Sequence, residues 1–112
     1  MAELDFADYQ RRAARTGGAV DVNHPIVYPT LGLTNEAGEV AGKVKKIFRD
    51  RDGHVTDDDR AALTLEIGDV LWYLAELCTQ LGVSLDDVAA ANLRKLEDRT
   101  MRGKLAGDGD YR

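Results

Sequence analysis

The sequence holds one cysteine, two prolines and two phenylalanines, and each scarcity closes a class of explanation. A lone Cys78 can form no internal disulfide, and its place on an apolar helical face reads as packing. With Pro25 and Pro29 the sole prolines, and Ala, Leu, Glu, Lys and Arg abundant, the composition favours an all-α protein. No apolar run approaches the ~20 residues that span a bilayer. The opening MAELDFADYQ is acidic where a secretory signal would be basic. The expectation is a cytoplasmic protein with no membrane partner. Positive charge is also short: the formal net charge is −5, which argues against polymeric nucleic acid. A small anionic ligand stays open, because a bound metal reverses the local sign.

The 112 residues read as a single domain, 1–112, with 103–112 as a flexible tail. A first helix is expected from about Asp5 to Arg15, stopped at Thr16-Gly17-Gly18, where glycine takes the left-handed cap. Ala19 to Pro29, with both prolines, reads as an extended connection. A second helix covers about Thr30 to Arg49 and ends near Asp52-Gly53. Thr56 caps a third, opened by three aspartates that suit its positive end, and Gly82 stops it after Leu81. Ser84 caps a fourth that runs to about Arg102, with Asp87 at the capping-box position. The architecture expected is a compact four-helix-type bundle.

One stretch of the third helix is out of keeping with a plain bundle. LEIGDVLWYLAEL sets Glu66 and Asp69 three residues apart among apolar neighbours. At about 100° per residue, Leu63, Ile67, Val70, Leu71, Leu74, Leu77, Cys78 and Leu81 form a broad stripe on one side. Leu65 and Trp72 lie on the other. Between them runs a narrow lane of Glu66, Asp69, Tyr73 and Glu76. Apolar surface on both sides is more than one short neighbour covers, so self-association is expected.

The second helix repeats the device, with Glu36 and Glu39 three apart beside Leu33, Val40, Val44 and Ile47. Ala37, Gly38, Ala41 and Gly42 leave room there for a helix or a ligand. Antiparallel packing of the two helices would gather four carboxylates that repel one another unless they hold protons or cations. An all-oxygen donor set selects hard ions, Mg²⁺ or Mn²⁺ ahead of Ca²⁺. Single pairs of this kind are common on solvated faces; two of them, each bordered by core positions, are not.

LGLTNEAGEVAGKVKKIFRD followed by LTLEIGDVLWYLAELCTQLGVSLDDVAAANLRKLEDR resembles the MazG-type all-α nucleoside triphosphate pyrophosphohydrolases. The resemblance runs from about Tyr28 to Arg102 and lies in E-x-x-E, then E-x-x-D at hairpin distance, then N-x-x-K-L. The ending GDGDYR is similar to that of short members. The resemblance implies Mg²⁺-dependent conversion of a nucleoside triphosphate to monophosphate and pyrophosphate, in nucleotide housecleaning or pool control, by a homodimer or homotetramer.

By the same resemblance, Glu36, Glu39, Glu66 and Asp69 are the metal ligands, and Asn92 and Lys95 are the phosphate-side groups. On a helix Asn92, Lys95, Arg99 and Arg102 fall within about 80° of one another, either a cradle for polyphosphate or an ordinary basic face. Lys43 shares the face of Glu36 and Glu39, to touch phosphate or balance charge. The implied reaction is in-line attack of an activated water on the α-phosphorus, with Glu39 or Glu66 as proton acceptor and Lys95 stabilising phosphate charge. For the base, the candidates are His24, Tyr28, Trp72 and Tyr73, of which the last two serve equally as core or subunit contacts. Two rivals stand beside this reading: a phosphoribosyl-ATP pyrophosphohydrolase, and a non-catalytic helical module with a structural cation.

Overall fold

A computed structural model describes residues 3–18 and 21–103. The described residues form four helices and no strand: α1 Phe6–Ala14, α2 Val27–Arg51, α3 Asp57–Leu81 and α4 Leu85–Met101. The all-α architecture is the one the composition demands. The sequence-expected tail falls almost entirely outside the described residues.

The helix ends show how side chains decide boundaries. Asp5 caps α1, its carboxylate accepting the Asp8 N–H at 2.7 Å. No left-handed glycine ends that helix, contrary to expectation. Arg15 at its C-cap stays right-handed, and the Thr16 hydroxyl takes over, donating to the Ala13 carbonyl at 2.7 Å. Helix α2 starts at Val27, three residues before Thr30, so Pro29 lies inside its first turn. There the missing N–H has no intrahelical partner to lose and the fixed φ suits the helix. At the other end Asp52 and Gly53 both turn left-handed, with φ of 55° and 84°.

Helix α3 opens on a complete capping box: Asp59 N–H to the Thr56 hydroxyl at 3.1 Å, and Thr56 N–H to the Asp59 carboxylate at 2.9 Å. Gly82, with φ 72°, closes it. The box expected at Ser84 is not formed, because the Ser84 side chain makes no cap bond. Gln10 of α1 replaces it. Its amide oxygen accepts the Leu85 N–H at 2.8 Å, while its nitrogen donates to the Val83 carbonyl at 2.9 Å and the Thr79 hydroxyl at 3.2 Å. One side chain thus fastens α1 to the turn between α3 and α4.

Helices α2 and α3 form an antiparallel hairpin and share the most extensive packing, with Arg51 paired to Asp59 at its closed end. Helix α1 lies on α3 and α4, and α4 on α1 and α3; among the described residues α4 does not pack on α2. The buried cluster is Ala13, Ala75, Cys78 and Leu85, with Tyr9, Leu71 and Trp72 against it. Cys78 is therefore a packing residue, and burial raises its thiol pKa. Each flank of the acidic lane keeps apolar residues uncovered within one chain, Leu65 at 73 % exposed and Ile67 at 59 %. The radius of gyration, 17.1 Å, exceeds the about 13 Å of a compact 100-residue domain. No described helix is long and apolar enough to cross a membrane.

The Thr56 backbone, with Arg51, holds the Asp59 carboxyl below its ordinary pKa against a smaller opposing effect of burial. A depressed folded-state pKa stabilises the fold above the unfolded value and ceases to do so as pH falls through the folded one. Asp59→Asn should therefore melt below the wild type at neutral pH, and the gap should close below about pH 4. Thermal melts across that range check it; a gap independent of pH would refute the electrostatic account.

Candidate metal centre

The α2–α3 hairpin brings together three of the four carboxylates of the paired motifs. Running antiparallel, it sets Glu36 opposite Glu66 and Asp69, with one oxygen of each residue within 4.8 Å of the other two. Glu36 and Glu66 are half-buried and Asp69 is exposed. Partial burial, the charge of Asp69, a hydrogen bond with Glu66 and the charges of Glu66 and Glu39 hold the Glu36 carboxyl above its ordinary pKa. Each of these causes disfavours the charged form of Glu36, and a cation bound among the three residues would act in the opposite sense. Lys43 Nζ lies 3.6 Å from Glu66 Oε1 and offsets part of the charge. Glu39 is exposed on α2; its charge reaches Glu36, but it stands outside the group of three.

Aromatic rings wall the acids on one side. Tyr73, one turn beyond Asp69, lies 6.1 Å from the Tyr28 ring and edge-on to Trp72 at 4.9 Å between centroids. Its hydroxyl pKa is raised, first by a hydrogen bond with Tyr28 and burial, then by the charges of Tyr28, Glu36 and Asp69. Tyr9 of α1 is raised by burial and by Asp69. Gly32 makes the approach possible, since any Cβ there would overlap the Tyr73 ring. Gly38 and Gly42, the glycines expected to leave room for a neighbour, instead face open space within this chain. The Trp72 indole donates to the Thr16 hydroxyl at 2.8 Å, tying α3 to the end of α1.

Three cavities share the two partners of that bond in their lining, and two of them bear on the site. One, of about 360 Å³, is lined by Glu36, Asp69, Tyr73, Thr16 and Trp72. The other, of about 470 Å³, shares Thr16 and Trp72 and adds His24, Tyr28, Glu76 and Gln80. The four base candidates thus fall around adjoining cavities, three on the larger one and Tyr73 beside the acids. Sequence reasoning missed Gln80 and Thr16, which no motif marks, and left Glu76 in the acidic lane without a role. On α4, Asn92 is exposed, Lys95 half-buried and Arg99 buried. Because α4 does not pack on α2 among the described residues, one chain does not assemble these groups around Glu36.

In metal-free protein, Glu36→Gln should relieve repulsion and raise the melting temperature. Added Mn²⁺ should then stabilise the wild type far more than the variant. Scanning fluorimetry in EDTA and in Mn²⁺ measures both, and equal gains from Mn²⁺ would contradict the assignment.

Residues 29–102 match the model of the MazG nucleotide pyrophosphohydrolase domain. The chain is 50% identical over 95 residues to the "Gene 37 protein" of Mycobacterium phage L5, covering 85% of this chain and 83% of that protein. It is 34% identical over 67 residues to the "Uncharacterized protein YpjD" of Bacillus subtilis (strain 168), covering 60% of each. No solved structure matches it significantly. The match takes in α3 and α4 and nearly all of α2, including every carboxylate of the cluster. The chain belongs to the MazG nucleotide pyrophosphohydrolase domain family.

Proposed function

We propose that this chain hydrolyses nucleoside triphosphates, or their deoxy forms, to the monophosphate and pyrophosphate with Mg²⁺, which Mn²⁺ can replace. The observation that carries the reading is the convergence of Glu36, Glu66 and Asp69 across the hairpin, beside cavities large enough for a small-molecule ligand. The donor set fits the ion: carboxylates alone, two of them half-buried, with Glu36 pushed above its ordinary pKa by burial and by its acidic neighbours. A bound divalent cation supplies charge neutralisation at the phosphates and acidifies water.

The chain's own groups do the rest. Glu36, Glu66 and Asp69 hold the ion, joined by Glu39 from the next turn of α2. Glu39 or Glu66 accepts the proton of the water that attacks the α-phosphorus. Lys43 limits the charge of the cluster before the ion arrives. Asn92, Lys95 and Arg99 serve the departing pyrophosphate, which requires them to be brought to the carboxylates of α2 and α3. The uncovered apolar flanks of α3 give the means, a homodimer or homotetramer in which a second copy covers them. A single domain spanning 1–112, acting in nucleotide housecleaning or pool control, completes the reading.

Pyrophosphate release from a panel of nucleotides should depend on Mg²⁺ and fall about 100-fold or more in Glu66→Gln. No release from any triphosphate by folded, metal-stabilised protein would overturn the reaction. Turnover of phosphoribosyl-ATP alone would transfer it to that rival substrate, and metal binding without turnover would favour the non-catalytic module. Light scattering should give a multiple of the 12.3 kDa chain mass; a 12.3 kDa species alone would remove the oligomer.

A further inference from the structure

Glu76 lies on the same lane of α3 as Glu66 and Asp69, two turns further on, and is only 8 % exposed. Its Oε1 accepts the amide N–H of Gln80 at 3.0 Å. Its Oε2 is buried with no hydrogen-bond partner among the described residues, 3.8 Å from where a Cβ on Gly17 would stand. A carboxylate oxygen withdrawn from water and left unpaired costs stability. An unsatisfied buried acceptor therefore marks a place where something else is meant to donate.

The surroundings say what. Glu76 lines the larger cavity together with Trp72, Tyr28 and Pro25. The wall also carries Asp21, His24, Thr16 and Gln80, but Glu76 Oε2 is the one side-chain atom among the described lining residues that is both buried and unpartnered, and aromatic walls around such a group suit a flat heteroaromatic ring. That cavity adjoins the acids through Thr16 and Trp72, which line both. An acceptor-only group distinguishes ring edges by sign. An exocyclic amino group, as on C4 of cytosine, presents N–H to it, whereas the O4 carbonyl of uracil or thymine presents oxygen to oxygen. Sites built to hydrogen-bond one group reject the analogue that lacks it far more strongly than apolar pockets reject a methylene.

We propose that Glu76, held in orientation by Gln80, reads the exocyclic amino group of the nucleobase, so that cytosine nucleotides are preferred to uracil and thymine nucleotides. This rests on the reading that the ligand is a nucleotide, and it adds the group that selects the base. Glu76 acts by contact with the base and takes no part in the bond that breaks.

The test is calorimetric binding of dCMP and dUMP, which have one ring size and differ in the group at position 4 and the proton on N3, in the presence of Mg²⁺. Wild-type protein should bind dCMP at least tenfold more tightly. In Glu76→Gln the carboxamide can donate to O4, and the ratio should fall below about threefold. The substitution is isosteric and removes a buried charge, so the variant should melt no lower than the wild type. Equal affinities in the wild type, a tenfold ratio that persists in the variant, or no binding of either nucleotide at millimolar concentration would each overturn the inference. Monophosphates have no anhydride to hydrolyse, so the result is independent of turnover. Selective binding without pyrophosphate release from the triphosphates would sink the reaction and leave Glu76 as the base reader. Release with no base preference would do the reverse.

Discussion

The register of α2 against α3 governs everything at the site. Each helix is 25 residues long, and the three clustered carboxylates come from both. A slip of one turn, about 5.4 Å, would carry Glu36 away from Glu66 and Asp69 altogether. Two devices at opposite ends prevent it. Arg51 grips Asp59 where the hairpin closes, and Asp59 is itself fixed by the cap of α3. At the far end the Tyr73 ring presses on the bare backbone of Gly32, a fit that a residue with a Cβ at that position would not allow. Between the two, Lys43 reaches across to Glu66.

This arrangement works against the stability of the empty fold. Carboxylates that repel one another and a buried, unpartnered oxygen on Glu76 are each less favourable than apolar packing. The small cluster around Ala13, Ala75, Cys78 and Leu85 has to outweigh them, which it does by recruiting α1 through Gln10 and the Thr16–Trp72 bond. Groups that strain the hairpin lie on the lane facing the cavities, while those that stabilise it lie where the other helices meet. The molecule separates the two tasks along a single helix.

Much of this was legible from residue order alone. The acidic lane follows from helical periodicity, and Thr56, Gly82 and Asp5 announce their boundaries by local chemistry that needs no partner. The failures have a common cause. Pro29 lies within α2 because a first turn has no use for its N–H, a tolerance that makes proline a poor marker of where that helix begins. Ser84 loses its cap to Gln10, far away in sequence, and the end of α1 is settled by Thr16, whose hydroxyl also serves Trp72. The sequence singles out Gly38 and Gly42 and not Gly32, since only the position of a ring on the opposite helix separates a required glycine from a tolerated one. Glu76 was placed on the right face, but the lack of a partner for Oε2 is a property of its surroundings.

Trp72 is the chain's sole tryptophan and stands in the wall common to both cavities, its indole N–H committed to Thr16. Indole emission responds to the polarity around the ring and to the loss or gain of a hydrogen bond at the nitrogen. The protein therefore carries its own optical reporter, at the junction between the acids and the larger cavity. A ring entering one side and an ion settling on the other would perturb the same fluorophore, so occupancy of the two compartments could be followed in one unlabelled sample.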